Sequence, residues 1–152
     1  MARCLQFLAI VFSASLASAK VQRSAIVTPN APKAIGPYSQ GILLTLGSGE
    51  RLVHAAGQIG MDPRTGSLVP GGIEREAHQA LNNVEAVITA VPGATMHDVF
   101  ECTVFMANLT EYSAFNSVYA TYFTAEAPAR AAVEVAQLPK DARVEIKCSA
   151  AV

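Results

Sequence analysis

The stretch IEREAHQALNNVEAVITAV, residues 73–91, decides the fold that the sequence predicts. Its apolar side chains recur with helical spacing, at Ile73, Ala77, Ala80, Leu81, Val84, Val87, Ile88 and Val91. This spacing predicts an α-helix with one apolar stripe, and the Pro-Gly pair at 92–93 predicts where it ends. A helix with a single apolar stripe must bury that stripe against another element.

The sequence on both sides of this helix predicts the strands that cover it. Residues 41–46 and 51–58 are apolar runs joined by a Gly-rich turn, which indicates a hairpin, whereas the Pro- and Gly-punctuated residues 24–40 predict a loop. Further patterns predict a strand at 99–106, a helix at 112–123, and strands at 131–135 and 143–150. The predicted fold class is α/β in the α+β sense: one mixed sheet with both helices on one face.

Length and charge limit the class of protein. The chain has 152 residues, which suits one domain, here 21–152, after a separate leader. Its net charge of −1, the 15% of charged residues and the absence of Trp disfavour a nucleic-acid partner.

The first 20 residues predict a targeting leader. Arg3 precedes a small and apolar run over 5–19, which closes with Ala17-Ser18-Ala19, a cleavage pattern typical of a secretory signal peptide. The run is too short for a comfortable membrane span. A mitochondrial or plastid transit peptide is the alternative, because no acidic residue occurs before Glu50 and Ser is frequent.

Cysteines and histidines give no metal-site pattern. Cys4, Cys102 and Cys148 form no CxxC pair and have no histidine at ligand spacing, so we expect no metal. Cys102 and Cys148 are predicted to be small buried side chains, and a disulfide between them would require an oxidising compartment. His54, His78 and His97 are interpreted as structural or surface residues.

Two charged residues in predicted strands are candidates for chemistry. Arg130 enters an apolar strand after Pro128-Ala129, where a planar guanidinium could reach a cleft and bind a carboxylate with two hydrogen bonds. Glu145 alternates with apolar neighbours, so it lies on a polar sheet face that is either solvated or meets another subunit. On pattern alone, both are more simply read as solvated residues.

Several short motifs occur together and in a fixed order. They are IGPYSQ at 35–40, AGQI at 56–59, NNV at 82–84, FN at 115–116, PAR at 128–130, VEV at 133–135, LP at 138–139 and VEI at 144–146. With this order and spacing, the chain resembles the RidA family, also called YjgF, over about residues 24–152.

The resemblance implies a fold and an activity. The fold would be chorismate-mutase-like, with a sheet of about six strands, assembled as a homotrimer with clefts between subunits. The activity would be hydrolysis of reactive 2-imino acids, such as 2-iminobutanoate and 2-iminopropanoate, to 2-oxo acids and ammonia, with no cofactor.

The resemblance also implies roles for individual residues. Arg130 would bind the substrate carboxylate, and Glu145 would activate the attacking water. Tyr38, expected from a neighbouring subunit, would close the cleft and hydrogen-bond at the imine end. Asn116 and the backbone around Gly57 would complete the polar lining.

Two positions depart from the pattern that many family members share. By the resemblance, Ala132 would line the substrate site where many members have Cys, and Ala56 stands where many have Ser. These departures keep a second hypothesis open, a trimer that binds small carboxylates without turning them over.

Ribonuclease activity has been attributed to some relatives. The near-neutral charge of this chain disfavours that activity.

Asn108-Leu109-Thr110 is an N-glycosylation sequon at a predicted strand–helix junction. Such junctions are commonly exposed, so a glycan at Asn108 is one hypothesis. The alternative is an unmodified residue that caps the helix.

Overall fold

The computed structural model describes residues 20–152, which form one seven-stranded sheet and two α-helices. The elements are β1 (Gln22–Ile26), β2 (Gly41–Thr45), β3 (Arg51–Ala55), β4 (Gln58–Ile59), α1 (Gly72–Ile88), β5 (Val99–Met106), α2 (Tyr112–Tyr122), β6 (Ala129–Glu134) and β7 (Val144–Ala151). The predicted α+β class is confirmed. Apart from Lys20, the leader predicted over residues 1–20 lies outside the described residues. Neither described helix is long and apolar enough to cross a membrane.

Hydrogen bonding orders the strands β1-β2-β3-β7-β5-β6, and the short β4 also pairs with β7. All neighbours are antiparallel except β5 and β6, so the sheet is mixed, as predicted. A parallel pair needs a crossover connection, and α2 lies in the connection between these two strands. This crossover places β6 beside α2.

The two faces of the sheet differ in character. Because strand side chains alternate and directly paired residues share a face, the strand register assigns each residue to one face. Val144, Ile146 and Cys148 of β7 are buried with Leu81 of α1 and Phe115 of α2 in the main core. We call the opposite side the open face. It carries Glu145, Lys147 and Ser149 of β7, His54 of β3, and Thr103 and Phe105 of β5.

Several boundaries differ from the predicted ones: β6 begins two residues earlier than predicted, and three further differences affect whole segments. Residues 24–26, predicted as part of a loop, belong to β1, whose mixed sequence QRSAI is exposed at four of five positions, as is typical of an edge strand. The predicted strand 51–58 is interrupted after Ala55 and resumes as β4. Helix α1 ends at Ile88, although Val91 is still buried in the core.

Cys102 and Cys148 are joined by a disulfide, the second of the two alternatives that the sequence left open, and not the favoured one of two unbonded side chains. Their predicted burial is right, since each is 1% exposed. The bond forms because the two residues lie directly opposite each other on β5 and β7, with Cα atoms 4.1 Å apart. It closes a chain segment that contains α2 and β6, with a sequence separation of 46 residues.

Candidate active site

Arg130 and Glu145 lie on opposite faces of the sheet. Arg130 is paired with Cys102 of β5, whose side chain lies in the core beneath the helices. Glu145 is paired with Phe105, three positions further along β5 and therefore on the open face. Within one chain, the two charged groups line different clefts. We name these the arginine half-site and the glutamate half-site.

The arginine half-site is built by β6 and α2. The Arg130 guanidinium donates a hydrogen bond from Nη2 to the Tyr112 hydroxyl at 2.8 Å, and its Cζ lies 4.4 Å from the centre of the Tyr119 ring. Among the described residues Arg130 has no carboxylate partner. A guanidinium held on rings and free of an ion pair is suited to bind a carboxylate from outside the chain.

Two clefts open beside this guanidinium. One, of about 350 Å³, is lined by Leu109, Tyr112, Arg130 and Ala132. The other, of about 420 Å³, includes Asn116 and Tyr119. The predicted lining residues Asn116 and Ala132 therefore both lie at the arginine half-site, one on each side of Arg130.

The glutamate half-site is a cleft of about 350 Å³ with mainly apolar walls. It is lined by Pro32, Lys33, Ile35, Tyr38, Gln40, Ala56, Gly57, Gln58, Ile59, Met61, Pro139 and Glu145. Burial in this cleft raises the pKa of the Glu145 carboxyl above its ordinary value. A carboxylate with a raised pKa is a stronger base, as proton abstraction from water requires.

Gly57 gives the Glu145 carboxylate its space. A β-carbon at Gly57 would overlap Glu145 Oε1 and lie 2.7 Å from Cδ. The break between β3 and β4 brings this backbone against the side chain of β7. The resemblance assigned Gly57 to the polar lining, and the structure adds that any larger residue there must displace Glu145.

Tyr38 lies at the rim of the same cleft. Its ring is 50% exposed, and its hydroxyl accepts a hydrogen bond from the Ile35 backbone N–H at 3.2 Å. Tyr38 was expected from a subunit other than the one carrying Glu145. Within one chain Tyr38 and Glu145 line the same cleft, whereas Arg130 lines another. The subunit that supplies Tyr38 to a complete site stays a prediction.

Two aromatic residues of this region were missed as site residues. The pattern of α2 placed Tyr112 and Tyr119 on an apolar helix side, with no link to Arg130. Burial raises the pKa of Tyr119 to about 12, and its hydroxyl has no hydrogen-bond partner among the described residues. A signal in the sequence could have found them. The two tyrosines are seven positions apart, on one side of the helix that precedes the strand carrying Arg130.

The histidines lie outside both half-sites. His54 Nδ1 is 3.0 Å from the Ser149 hydroxyl on the open face, and His78 Nδ1 is 3.2 Å from the Tyr122 hydroxyl. His97 lies in a single 3-10 turn before β5. In residues 20–152 no three His, Cys, Asp or Glu side chains form a group that could hold a metal ion.

Asn108 begins a single 3-10 turn between β5 and α2. Its side chain is exposed, and its Oδ1 accepts hydrogen bonds from the Thr110 backbone N–H at 2.9 Å and hydroxyl at 2.7 Å. Asn108 therefore caps this turn and not α2 as predicted, since the N-cap of α2 is Glu111, which makes no side-chain cap bond. The exposed Asn108 side chain is open to an external enzyme.

Comparison with known proteins places the chain in one family. A family model described as Endoribonuclease L-PSP matches residues 28–152. The 2-iminobutanoate/2-iminopropanoate deaminase of Capra hircus is 47% identical over 128 residues, which is 84% of this chain and 89% of that protein. The human protein of the same name is 44% identical over the same shares.

Solved structures agree with this placement. A Rid-family protein from Yersinia pestis superposes with a TM-score of 0.79 at 42% identity, over 86% of this chain and all of that one. The E. coli protein TdcF, solved with bound serine, gives a TM-score of 0.74 at 38% identity, over 84% and 97% of the two chains. The chain therefore belongs to the RidA/YjgF family, whose sequence model is named Endoribonuclease L-PSP.

Proposed function

We propose that this protein hydrolyses 2-imino acids, among them 2-iminobutanoate and 2-iminopropanoate, to 2-oxo acids and ammonia. The names and 44–47% identity of the mammalian relatives support this activity. The observation in the structure that carries it is the Glu145 carboxyl, which has a raised pKa and lies against Gly57 in an apolar-walled cleft.

The proposed active unit is a homotrimer with its sites between subunits. Arg130 and Glu145 lie on opposite sheet faces, so a cleft that contains both requires Arg130 of one chain and Glu145 of another. The open face also exposes apolar surface near Glu145, for example Val133, which is 43% exposed and pairs with Phe105, the β5 partner of Glu145. Covering such surface with a second copy would stabilise the assembly.

The proposed reaction begins with substrate orientation. Arg130 binds the carboxylate with two hydrogen bonds, which converts a small and weakly held imino acid into an oriented one. Glu145 takes a proton from water while the hydroxide oxygen bonds to C2 of the protonated imine, giving a tetrahedral carbinolamine. Tyr38 hydrogen-bonds at the imine nitrogen.

The second half of the reaction returns the proton. Glu145 donates it to the nitrogen, the C2–N bond breaks with its electron pair on the departing ammonia, and the hydroxyl proton passes to water as the carbonyl forms. One water is consumed, and one 2-oxo acid and one ammonia are released. Water and the side chains named here supply every proton in these steps.

A coupled assay tests this function. Threonine dehydratase generates 2-iminobutanoate, and release of ammonia and 2-oxobutanoate is followed with and without the purified protein. We expect acceleration by the wild type and at least about a 100-fold loss in kcat/KM for Arg130→Ala. Equal rates for wild type and Arg130→Ala would refute the proposal. A wild type that binds 2-oxobutanoate without accelerating release would identify a carboxylate-binding protein instead.

The same preparation is tested with RNA because the family model carries an endoribonuclease name. We expect no cleavage and no salt-dependent binding, since the chain has a net charge of −1 and no Trp for stacking. Cleavage that survives in Glu145→Gln would establish a separate nucleolytic activity.

The proposed compartment is the secretory pathway. Two features of the domain support it: the Cys102–Cys148 disulfide and the exposed sequon at Asn108. The experiment is to sequence the mature N-terminus and to treat the protein with an N-glycosidase. A start near Lys20 with a glycan at Asn108 is expected, whereas an unglycosylated protein purified from mitochondria or plastids would contradict export.

A further inference from the structure

The Arg130 guanidinium lies among three aromatic rings of one helix. Its Cζ is 4.4 Å from the ring centre of Tyr119, 5.6 Å from that of Tyr112 and 5.7 Å from that of Phe115. All three distances fall within the range of cation–π attraction. The rings occupy positions i, i+3 and i+7 of α2, which puts them on one side of the helix facing β6.

Ring contacts alone do not fix the direction in which the N–H groups of the guanidinium point. Attraction to a ring face depends on the distance of the charge and only weakly on the direction of each N–H. A hydrogen bond is directional, and the bond from Arg130 Nη2 to the Tyr112 hydroxyl is 2.8 Å long. Among the contacts of Arg130 with Tyr112, Phe115 and Tyr119, this bond is the one that fixes the direction of the N–H groups.

We propose that Tyr112 is a positioning residue for substrate binding: its hydroxyl holds the Arg130 guanidinium so that the remaining N–H groups meet the carboxylate of the 2-imino acid. The proposal rests on the proposed function and names a residue that the sequence motifs do not assign. A guanidinium has five N–H donors, so one bond to Tyr112 leaves enough for a bidentate carboxylate.

The composition of the cleft explains why a hydroxyl matters at this position. Of the four residues that line it, Leu109 and Ala132 are apolar, and Tyr112 brings the single side-chain hydroxyl. Ala132 has only a methyl group, so it can neither donate to the guanidinium nor accept from it. Tyr112 is 37% exposed and lines this cleft together with Arg130, so solvent reaches the residue.

The decisive variant is Tyr112→Phe, which keeps the ring and removes the hydroxyl. The matched control is Tyr122→Phe on the same helix. The Tyr122 hydroxyl donates its one proton to Asn82 Oδ1 at 2.7 Å and lies 3.1 Å from the His78 carbonyl oxygen, away from Arg130. Both variants lose a tyrosine hydroxyl with a partner, so both could lower the unfolding temperature. Only the first touches the guanidinium.

The measurements are KM and kcat in the coupled imine assay, and the dissociation constant of 2-oxobutanoate by calorimetry. For Tyr112→Phe we expect KM and the dissociation constant to rise about three- to tenfold with kcat within about twofold, since orientation of the carboxylate is lost in ground and transition states alike. For Tyr122→Phe we expect both constants within about twofold of the wild type.

Two results would overturn the proposal. They are an unchanged KM and dissociation constant in Tyr112→Phe, and an equal rise of these constants in the Tyr122→Phe control. The calorimetric measurement of 2-oxobutanoate binding does not require the protein to turn over a substrate. If wild type binds 2-oxobutanoate without releasing ammonia faster, the deaminase function fails, and the two dissociation constants still decide the role of Tyr112.

Discussion

Gly57→Ala is the substitution that tests the glutamate half-site most directly. Its new β-carbon would lie 2.7 Å from Cδ and 3.0 Å from Cγ of Glu145. Non-bonded carbons rest at about 3.5–4.0 Å, so the Glu145 side chain must move by roughly 1 Å. A displacement of about 1 Å at a reacting group can reduce the rate by about 100-fold. We therefore expect kcat to fall by about that factor.

The same substitution should leave carboxylate binding nearly intact. Arg130 lies on the other face of the sheet, so a shift of Glu145 does not move it. We expect KM within about threefold of the wild type. The assay is the threonine dehydratase coupling, with circular dichroism and the unfolding midpoint as checks that the variant is folded.

A double-mutant cycle separates this mechanism from general damage. If Gly57 acts through Glu145, then Gly57→Ala should cost almost nothing further when added to Glu145→Gln. The reasoning is refuted if Gly57→Ala keeps kcat within about threefold of wild type. It is equally refuted if the double variant is a further 100-fold or so slower than Glu145→Gln alone.

Three further predictions concern stability and pH. Reduction of the Cys102–Cys148 disulfide, which spans 46 residues, should lower the unfolding free energy by about 4 kcal/mol, because the unfolded chain gains conformational entropy. The free energy is measured by guanidinium titration, and a loss below about 1 kcal/mol would contradict this prediction. Burial raises the pKa of Glu145 above 4.5, and only the deprotonated carboxylate accepts a proton. Activity should therefore fall as the pH is lowered through this raised pKa, and the residual activity of Glu145→Gln should not show this acidic limb of the pH–rate profile. Tyr119→Phe removes a hydroxyl with no partner in the described chain, so it should leave the unfolding free energy unchanged or raise it by up to about 1 kcal/mol, and a clear loss would reveal a partner.

The sequence predicted the parts of the fold that depend on local pattern. Helix α1 and strand β5 follow from apolar periodicity, and the limits of β5 agree at both ends. Strand β1 was missed because an edge strand can be polar at most positions, and its sequence QRSAI does not alternate between apolar and polar residues. Its existence depends on pairing with β2, which is a non-local contact.

The candidate site was predictable as a set of residues but not as an arrangement. The motifs identify Arg130 and Glu145, yet which face each occupies depends on strand pairing through β5. The disulfide depends on the same register, because Cys102 and Cys148 bond only when β5 and β7 align them. Neither register is encoded in the spacing along the chain.

The placement of Arg130 and Glu145 on opposite faces has a genetic consequence. In the proposed trimer each site takes its arginine from one chain and its glutamate from the next, so a chain that lacks Arg130 and a chain that lacks Glu145 carry complementary defects. Random mixing of the two would rebuild both groups in about a quarter of the sites. Two alleles that are each inactive alone would then restore activity when they are expressed together.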